Sequence, residues 1–191
     1  MNWLQHQLGL MPKPDVILHI GAGLCSELPE YQRIRPRHIV LVEPNPETVT
    51  ELRAHAAAWD NVTVLHAAVT AQGGSASLRL FNFPELDGLH EPVGLYPLLP
   101  GLRPVGRAEV AGLSVSQLLQ QAAIHRKGHN WLVLEAPGQE REIVQALAEE
   151  DRLQHFSRII VRAGAESFYE DPDTGMPYDD SDPGERPPAG R

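Results

Sequence analysis

Apolar positions along the chain follow two periods. The run at 16–20 (Val16, Ile17, Leu18) is continuous, as expected of a strand buried on both faces of a parallel sheet. Further strands are predicted at 38–42, 61–69, 130–136 and 156–161. Between them the period lengthens. Segment 47–59 sets Val49, Leu52, Ala56 and Trp59 on one helical face. Segment 114–124 does the same with Val115, Leu118, Leu119 and Ala122, and 139–150 with Ile143, Val144 and Leu147. Pro46 suits a first helical turn and Ser114 an N-cap. Segment 24–34 predicts only a short or irregular helix, because Pro29 falls inside it. Residues 1–10 carry Trp3, Leu4, Leu8 and Leu10, spaced for a short amphipathic helix that Pro12 and Pro14 end. The alternation predicts an α/β fold. It is Rossmann-like and doubly wound, with a mostly parallel sheet and right-handed crossovers, truncated after the fifth core strand.

Two stretches interrupt this pattern. Segment 75–83 alternates apolar and polar residues, as a half-exposed strand does, and a strand resumes at 107–113. Between them, 84–106 holds five prolines and four glycines beside large apolar residues that include Leu89, Val93, Leu95, Tyr96, Leu98, Leu99 and Leu102. It is too apolar for a tether and reads as a flap over the ligand edge of the sheet. The expected organisation is one domain over 1–169, with 84–106 as an insertion. An acidic, disordered tail follows at 170–191.

Charge narrows the partners. The net charge is −9, and the tail holds seven acids against two arginines, a net −5. A mildly acidic body argues against nucleic acid, which needs clustered Lys and Arg. Arg33, Arg35 and Arg37 are too short a cluster to alter that. Cys25 is the single cysteine, which excludes an internal disulfide and suits a reducing compartment. No apolar run reaches the roughly 18 residues of a membrane span, and the N-terminus lacks a signal-peptide pattern. A cytoplasmic protein is expected.

The candidate chemistry sits in 15–46. A small-residue turn, Gly21-Ala22-Gly23, follows the first strand, and Glu43 ends the second about twenty residues later. Glycines let a ligand approach the backbone, and a strand-end carboxylate accepts hydrogen bonds from ribose hydroxyls. Ser26 stands where a dinucleotide motif has its third glycine, which lowers the NAD reading. A nucleotide-binding protein using the same crevice stays open as a weaker alternative. Glu135, at the end of the strand expected beside the first, is the best-placed general base. His19 and His66 lie at or near strand ends and read as hydrogen-bonded structural histidines. His125 and His129 flank a turn without a third ligand, so no metal site is expected. Cys25 lacks a partner for nucleophilic work, and Trp131 reads as packing.

The stretches LHIGAGLCSE, VLVEPNPETVTEL, NVTVLHAAVTAQGGSASL, VAGLSVSQLL and WLVLEAPGQEREIVQAL resemble, in order and spacing, the FkbM-type methyltransferases. That family belongs to the class I S-adenosylmethionine-dependent methyltransferases. The most specific pieces are Glu43-Pro44-Asn45-Pro46 and Ala67-Ala68-Val69 followed by Gly73-Gly74. The resemblance implies S-adenosylmethionine as cofactor. Gly21, Ala22 and Gly23 would face its methionine half, Glu43 with Asn45 its ribose, and Ala67 its adenine. It also implies methylation of an oxygen on a small-molecule or sugar acceptor.

The sequence departs from the family pattern at three places. His19 replaces an acid, Cys25 replaces a glycine and would crowd the donor's carboxylate end, and Pro137 replaces a glutamate. A final antiparallel strand pair is also missing. These departures imply the alternative of a catalytically inactive methyltransferase-like domain, acting as a binding module or as a subunit with a protein partner.

Overall fold

The structure is a computed structural model that describes residues 13–162 and 168–169. The helix expected at 1–10 and the tail at 170–191 lie outside the described residues. The chain forms β1 (Val16–Ile20), α1 (Leu28–Arg33), β2 (His38–Glu43), α2 (Pro46–Ala56), β3 (Val62–His66), β4 (Ala68–Val69) and β5 (Gly74–Phe81). It continues with β6 (Pro104–Leu113), α3 (Val115–Gln121), β7 (Asn130–Leu134), α4 (Glu140–Glu149) and β8 (Phe156–Val161). Short 3-10 turns at Pro84–Leu86 and Val93–Leu95 punctuate the segment between β5 and β6, and Leu153–His155 leads into β8.

Five strands make one all-parallel sheet in the order β3-β2-β1-β7-β8. All five residues of β1 and of β7 are buried, which is why their sequences run apolar without alternation. Leu28 and Tyr31 of α1 and Leu52 and Ala56 of α2 pack on Ile17, Ile39, Leu41, Trp131 and Val133. Val115, Leu118 and Leu119 of α3 and Ile143 and Leu147 of α4 pack on the opposite face, over Leu18, Ile20, Val40 and Leu132. Each fully buried leucine of this kind contributes about 1.5–3 kcal/mol over an exposed one. Helices on both faces of a parallel sheet make the fold Rossmann-like and doubly wound. Among the described residues, no helix is long and apolar enough to cross a membrane.

Capping explains where the helices begin. The Asn45 side chain accepts hydrogen bonds from the Glu47 and Thr48 N–H groups, and Pro46 fills the first turn of α2. Ser114 and Gln117 form a reciprocal capping box at the start of α3. Helix α1 starts only at Leu28, which places Pro29 in its first turn, where the missing N–H costs nothing.

Several boundaries differ from the sequence expectation, among them the ends of β5 at Phe81 and of β7 at Leu134. The strand expected at 61–69 is two strands. The Ala67 N–H still donates to the Glu43 carbonyl, but Ala68 and Val69 leave the main sheet and pair with Gly112 and Leu113 of β6. Strand β6 starts at Pro104, so 104–106 belongs to a strand and not to the insertion. With β5, which pairs antiparallel to it, β6 builds a second, three-stranded sheet that periodicity did not predict. Helix α2 stops at Ala56, three residues short of Trp59, whose N–H turns back to the Ala56 carbonyl. Helix α3 stops at Gln121 because Ala123 takes φ +51° and the Ile124 N–H closes back on the Leu119 carbonyl.

Candidate functional site at the switch point of the sheet

Strand β1 is followed by β2 on one side, while β7 pairs with its other side. This reversal of strand order opens a crevice at the carboxyl ends of the strands, the usual ligand position in such sheets. Gly21 and Ala22 both donate their N–H groups to the Val42 carbonyl, at 2.9 and 3.0 Å, so the turn folds over the end of β2. Gly21 has φ +74°, and a Cβ there would lie 2.1 Å from the Glu135 carbonyl oxygen. Only glycine lets the turn pass this close to β7. Ala22 is buried on the α1 side. Gly23 has φ +52°, and a Cβ there would meet nothing within 4 Å. The turn is therefore closed against β7 at Gly21 and open at Gly23.

Glu43 lies directly beneath that opening. Its Oε2 accepts the Gly23 N–H at 2.9 Å and its Oε1 accepts the Asn45 N–H at 2.8 Å. Burial raises its pKa, the two amide hydrogen bonds oppose the rise, and the nearby Asp87 adds to it. The Asn45 side chain works twice. Its oxygen caps α2, and its nitrogen donates to Asp87 Oδ2 at 2.6 Å. Asp87 Oδ1 accepts the Phe81 N–H at 2.7 Å. Burial raises the Asp87 pKa, and hydrogen bonds from Phe81 and Asn45 hold it back. Ala67 is buried beside this group, its N–H on the Glu43 carbonyl. The ends of β1, β2 and β3 thus bring Gly21, Ala22, Gly23, Glu43, Asn45 and Ala67 together.

Asn45→Ala removes the cap of α2 and one donor from Asp87 but keeps the backbone N–H that holds Glu43. A loss of about 1–3 kcal/mol in urea unfolding is expected. Asn45→Asp keeps the cap and sets a second carboxylate against Asp87, so its stability should drop further as the pH rises from 4 to 7. Unchanged unfolding midpoints in both variants would refute the dual role of Asn45.

On the other side of Gly21, the Glu135 N–H donates to the Ile20 carbonyl at 2.9 Å. Glu135 Oε2 accepts from Arg162 Nη1 at 2.9 Å, while its buried Oε1 has no hydrogen-bond partner among the described residues. One buried carboxylate oxygen at the end of β7 is therefore left without a donor among the described residues. The Arg162 side chain is 64% exposed, so this pair orients Glu135 more than it stabilises the fold.

His19 and Cys25 meet beneath the turn. His19 is 1% exposed, and its Nδ1 lies 3.1 Å from the Tyr31 hydroxyl and 3.9 Å from the Cys25 sulfur. Burial first, and then the Arg162 charge, depress the His19 pKa to about 3, so the ring is neutral. Cys25 holds φ +48° and is 5% exposed, packed with Ala22, Leu28 and Tyr31. This corrects the expectation that its sulfur crowds the donor site, because the side chain points inward to His19. Burial, together with Glu27 and Glu135, raises the thiol pKa well above its ordinary value, so Cys25 is no nucleophile. His19 and Cys25 thus make one contact in the core.

The remaining sequence candidates lie elsewhere. His66 Nε2 is 3.0 Å from the Pro44 carbonyl oxygen, a structural contact that supports the loop after β2. His125 and His129 belong to the turn before β7, at the opposite end of the sheet, which Asn130 and Asp15 hold through backbone groups. Among the described residues, no group of three or more His, Cys, Asp or Glu side chains could hold a metal ion. Trp131 is buried under the sheet's α1 face, with the Arg158 guanidinium 5.4 Å from its ring centroid.

Asp87, Arg162 and Tyr169 are the site residues that the sequence did not single out. Asp87 followed by Gly88 carried a turn signal inside 84–106, but nothing tied it to Asn45, 42 positions earlier. No family model, curated protein or solved structure matches the chain. Fold and site together define its class: a Rossmann-like, doubly wound α/β protein with a glycine turn and a strand-end carboxylate at the switch point.

Proposed function

We propose that the protein is an S-adenosylmethionine-dependent methyltransferase acting on an oxygen of a small molecule or sugar. The observation that carries this reading is Gly23. No described residue comes within 4 Å of its outward side, and its N–H lies 2.9 Å from the Glu43 carboxylate, buried at the end of the adjacent strand. A nucleoside laid over that opening would reach the remaining lone pairs of Glu43 with its ribose hydroxyls. S-adenosylmethionine would supply the methyl group on a sulfonium. Ala67 would border the base, and Asn45 would fix Glu43 through its N–H. The unpartnered Oε1 of Glu135 is the group suited to take the acceptor's hydroxyl proton. The fit extends to the methionine half through the Gly21–Gly23 turn. A single buried cysteine and no disulfide favour a reducing, cytoplasmic setting.

Titration calorimetry with S-adenosylmethionine and its demethylated product tests this reading. Glu43→Gln keeps the shape but loses the charge, and is expected to weaken binding about tenfold to a hundredfold. Circular dichroism should show the sheet retained. If the wild type gives no heat and no thermal shift at millimolar ligand, the assignment is wrong.

One observation favours a second reading, an inactive domain serving as a binding module. Both Glu43 oxygens already accept backbone N–H groups from Gly23 and Asn45, so the carboxylate has a structural task without any ligand. On this reading donor binding is absent. Glu43→Gln would then alter stability alone, and replacing 84–103 by a short linker would abolish assembly with a protein partner.

A further inference from the structure

After β8 the chain returns to the crevice. Tyr169 is fully buried, although it follows the last core strand by several residues. Two glycines on separate segments make room for Tyr169 and its neighbour. A Cβ on Gly138, in the turn between β7 and α4, would lie 2.6 Å from Tyr169 Cγ. A Cβ on Gly94, in the segment between β5 and β6, would lie 2.9 Å from Phe168 Cα. Phe168 and Tyr169 therefore touch, at van der Waals contact, two segments that border the carboxyl ends of the strands. Those segments also approach each other directly. A Cβ on Gly88 would lie 3.2 Å from the Pro137 carbonyl oxygen, and His90 Nε2 lies 3.0 Å from Glu142 Oε1.

The same segment reaches the candidate donor site through a chain of hydrogen bonds. Asp87 accepts from the Asn45 side chain, the Asn45 N–H donates to Glu43, and Glu43 accepts the Gly23 N–H. Among the described residues the Tyr169 hydroxyl has no hydrogen-bond partner, and it lies within the field of Glu140 and Asp87. Its ring rather than its hydroxyl thus makes the mechanical contact.

We propose that Phe168 and Tyr169 form a strap that clamps the 84–95 segment to the β7–α4 turn at the border of the switch-point crevice, setting Asp87, Asn45 and Glu43 in register. Wedging a ring onto Gly138 and a backbone onto Gly94 fixes the segment from both sides. Releasing it loosens the segment that carries Asp87, which the Phe81 N–H still holds to β5, and weakens the side-chain link to Asn45. That the crevice receives a methyl donor rests on the function proposed above; the strap itself does not.

Hydrogen exchange read by mass spectrometry on the full chain tests the strap. Tyr169→Ala is expected to speed exchange about tenfold or more in peptides covering 84–95 and 137–140, with β1, β2 and β7 unchanged. Gly94→Ala should do the same from the opposite side. Gly94 is outside the left-handed region, so the added methyl acts through Phe168 and not through its own φ. Tyr169→Phe should behave as wild type, because the hydroxyl carries no bond. Should Tyr169→Ala lose protection across the sheet, Gly94→Ala decides alone. Wild-type exchange in 84–95 for Gly94→Ala, or Tyr169→Phe as loose as Tyr169→Ala, overturns the strap. Adding the demethylated donor separates this from the functional assignment. Loosened variants with no donor binding in any form sink the assignment and keep the strap. Donor binding with 84–95 unaffected by both substitutions does the reverse.

Discussion

Gly21→Ala is expected to cost several kcal/mol of stability and to leave little folded protein at 37 °C. The new Cβ would stand 2.1 Å from the Glu135 carbonyl oxygen, 2.7 Å from its carbon and 3.1 Å from the Ala136 nitrogen. All three are backbone atoms of the segment leaving β7, so no side chain can swing aside. The strand itself would have to move, and its end is tied to β1 by the Glu135 N–H on the Ile20 carbonyl. The left-handed backbone of Gly21, at φ +74°, adds about 1–2 kcal/mol for any residue with a Cβ. Overpacking against rigid backbone adds about 1–3 kcal/mol or more. Whole domains hold only about 5–15 kcal/mol. Gly23→Ala is the control. Its φ is also left-handed, but its Cβ meets open space, so it should lose only the conformational part. Urea unfolding of the two variants, compared with wild type, gives the answer. Equal losses would mean that proximity to β7 plays no part. If donor binding is real, Gly23→Ala should weaken it while leaving the fold in place.

Stability is expected to fall as the pH drops below about 6.5, with His19 as the cause. An unfolded histidine takes a proton near pH 6.5, whereas the folded protein holds His19 neutral down to about 3. Between those values the unfolded state binds a proton that the folded state refuses, so acid favours unfolding. The slope is about 1.4 kcal/mol per pH unit for one such group. Glu43 and Asp87 act in the opposite sense. Their folded pKa values are raised, so the folded state protonates first and gains stability as the pH falls through the carboxylate range. The His19 slope should therefore set in below pH 6.5 and flatten where these two carboxylates take up their protons. His19→Gln removes the titration while keeping a polar group against Tyr31. Its stability should be nearly level over that range, whatever its absolute value. Parallel pH profiles for wild type and variant would show that the buried ring is not the acid-sensitive group.

Local signals made parts of the site readable. A run of apolar residues that ends in two glycines, followed by an apolar run that ends in an acid, needs no tertiary information to be recognised. The structure brings Gly21, Gly23, Glu43, Asn45 and Ala67 to one edge. The split at Ala67 was not readable, because 61–69 carries one unbroken strand pattern. Its division depends on β6 offering Gly112 and Leu113 as partners more than forty residues later. Cys25 was misplaced for a similar reason. Sequence fixes that a side chain follows Gly23 but not the sign of φ at Cys25, and φ +48° turns the sulfur inward to His19.

Periodicity and turn chemistry by themselves determined the α/β alternation, the two-faced burial of β1, the first-turn proline at Pro46, the cap at Ser114, and the glycine turn paired with Glu43. Each of these depends on residues within about one helix or strand of each other, where spacing alone sets which side chains share a face. Only the tertiary structure decided that β5 and β6 form a separate sheet, that Asp87 grips Asn45, that Arg162 engages Glu135, and that Tyr169 closes on Gly138. Those contacts join segments far apart in the chain, and their partners are chosen by where packing leaves room. Gly138 accepts the Tyr169 ring because it has no Cβ, and Asp87 reaches Asn45 because β5 carries the 84–95 segment back across the ends of the strands.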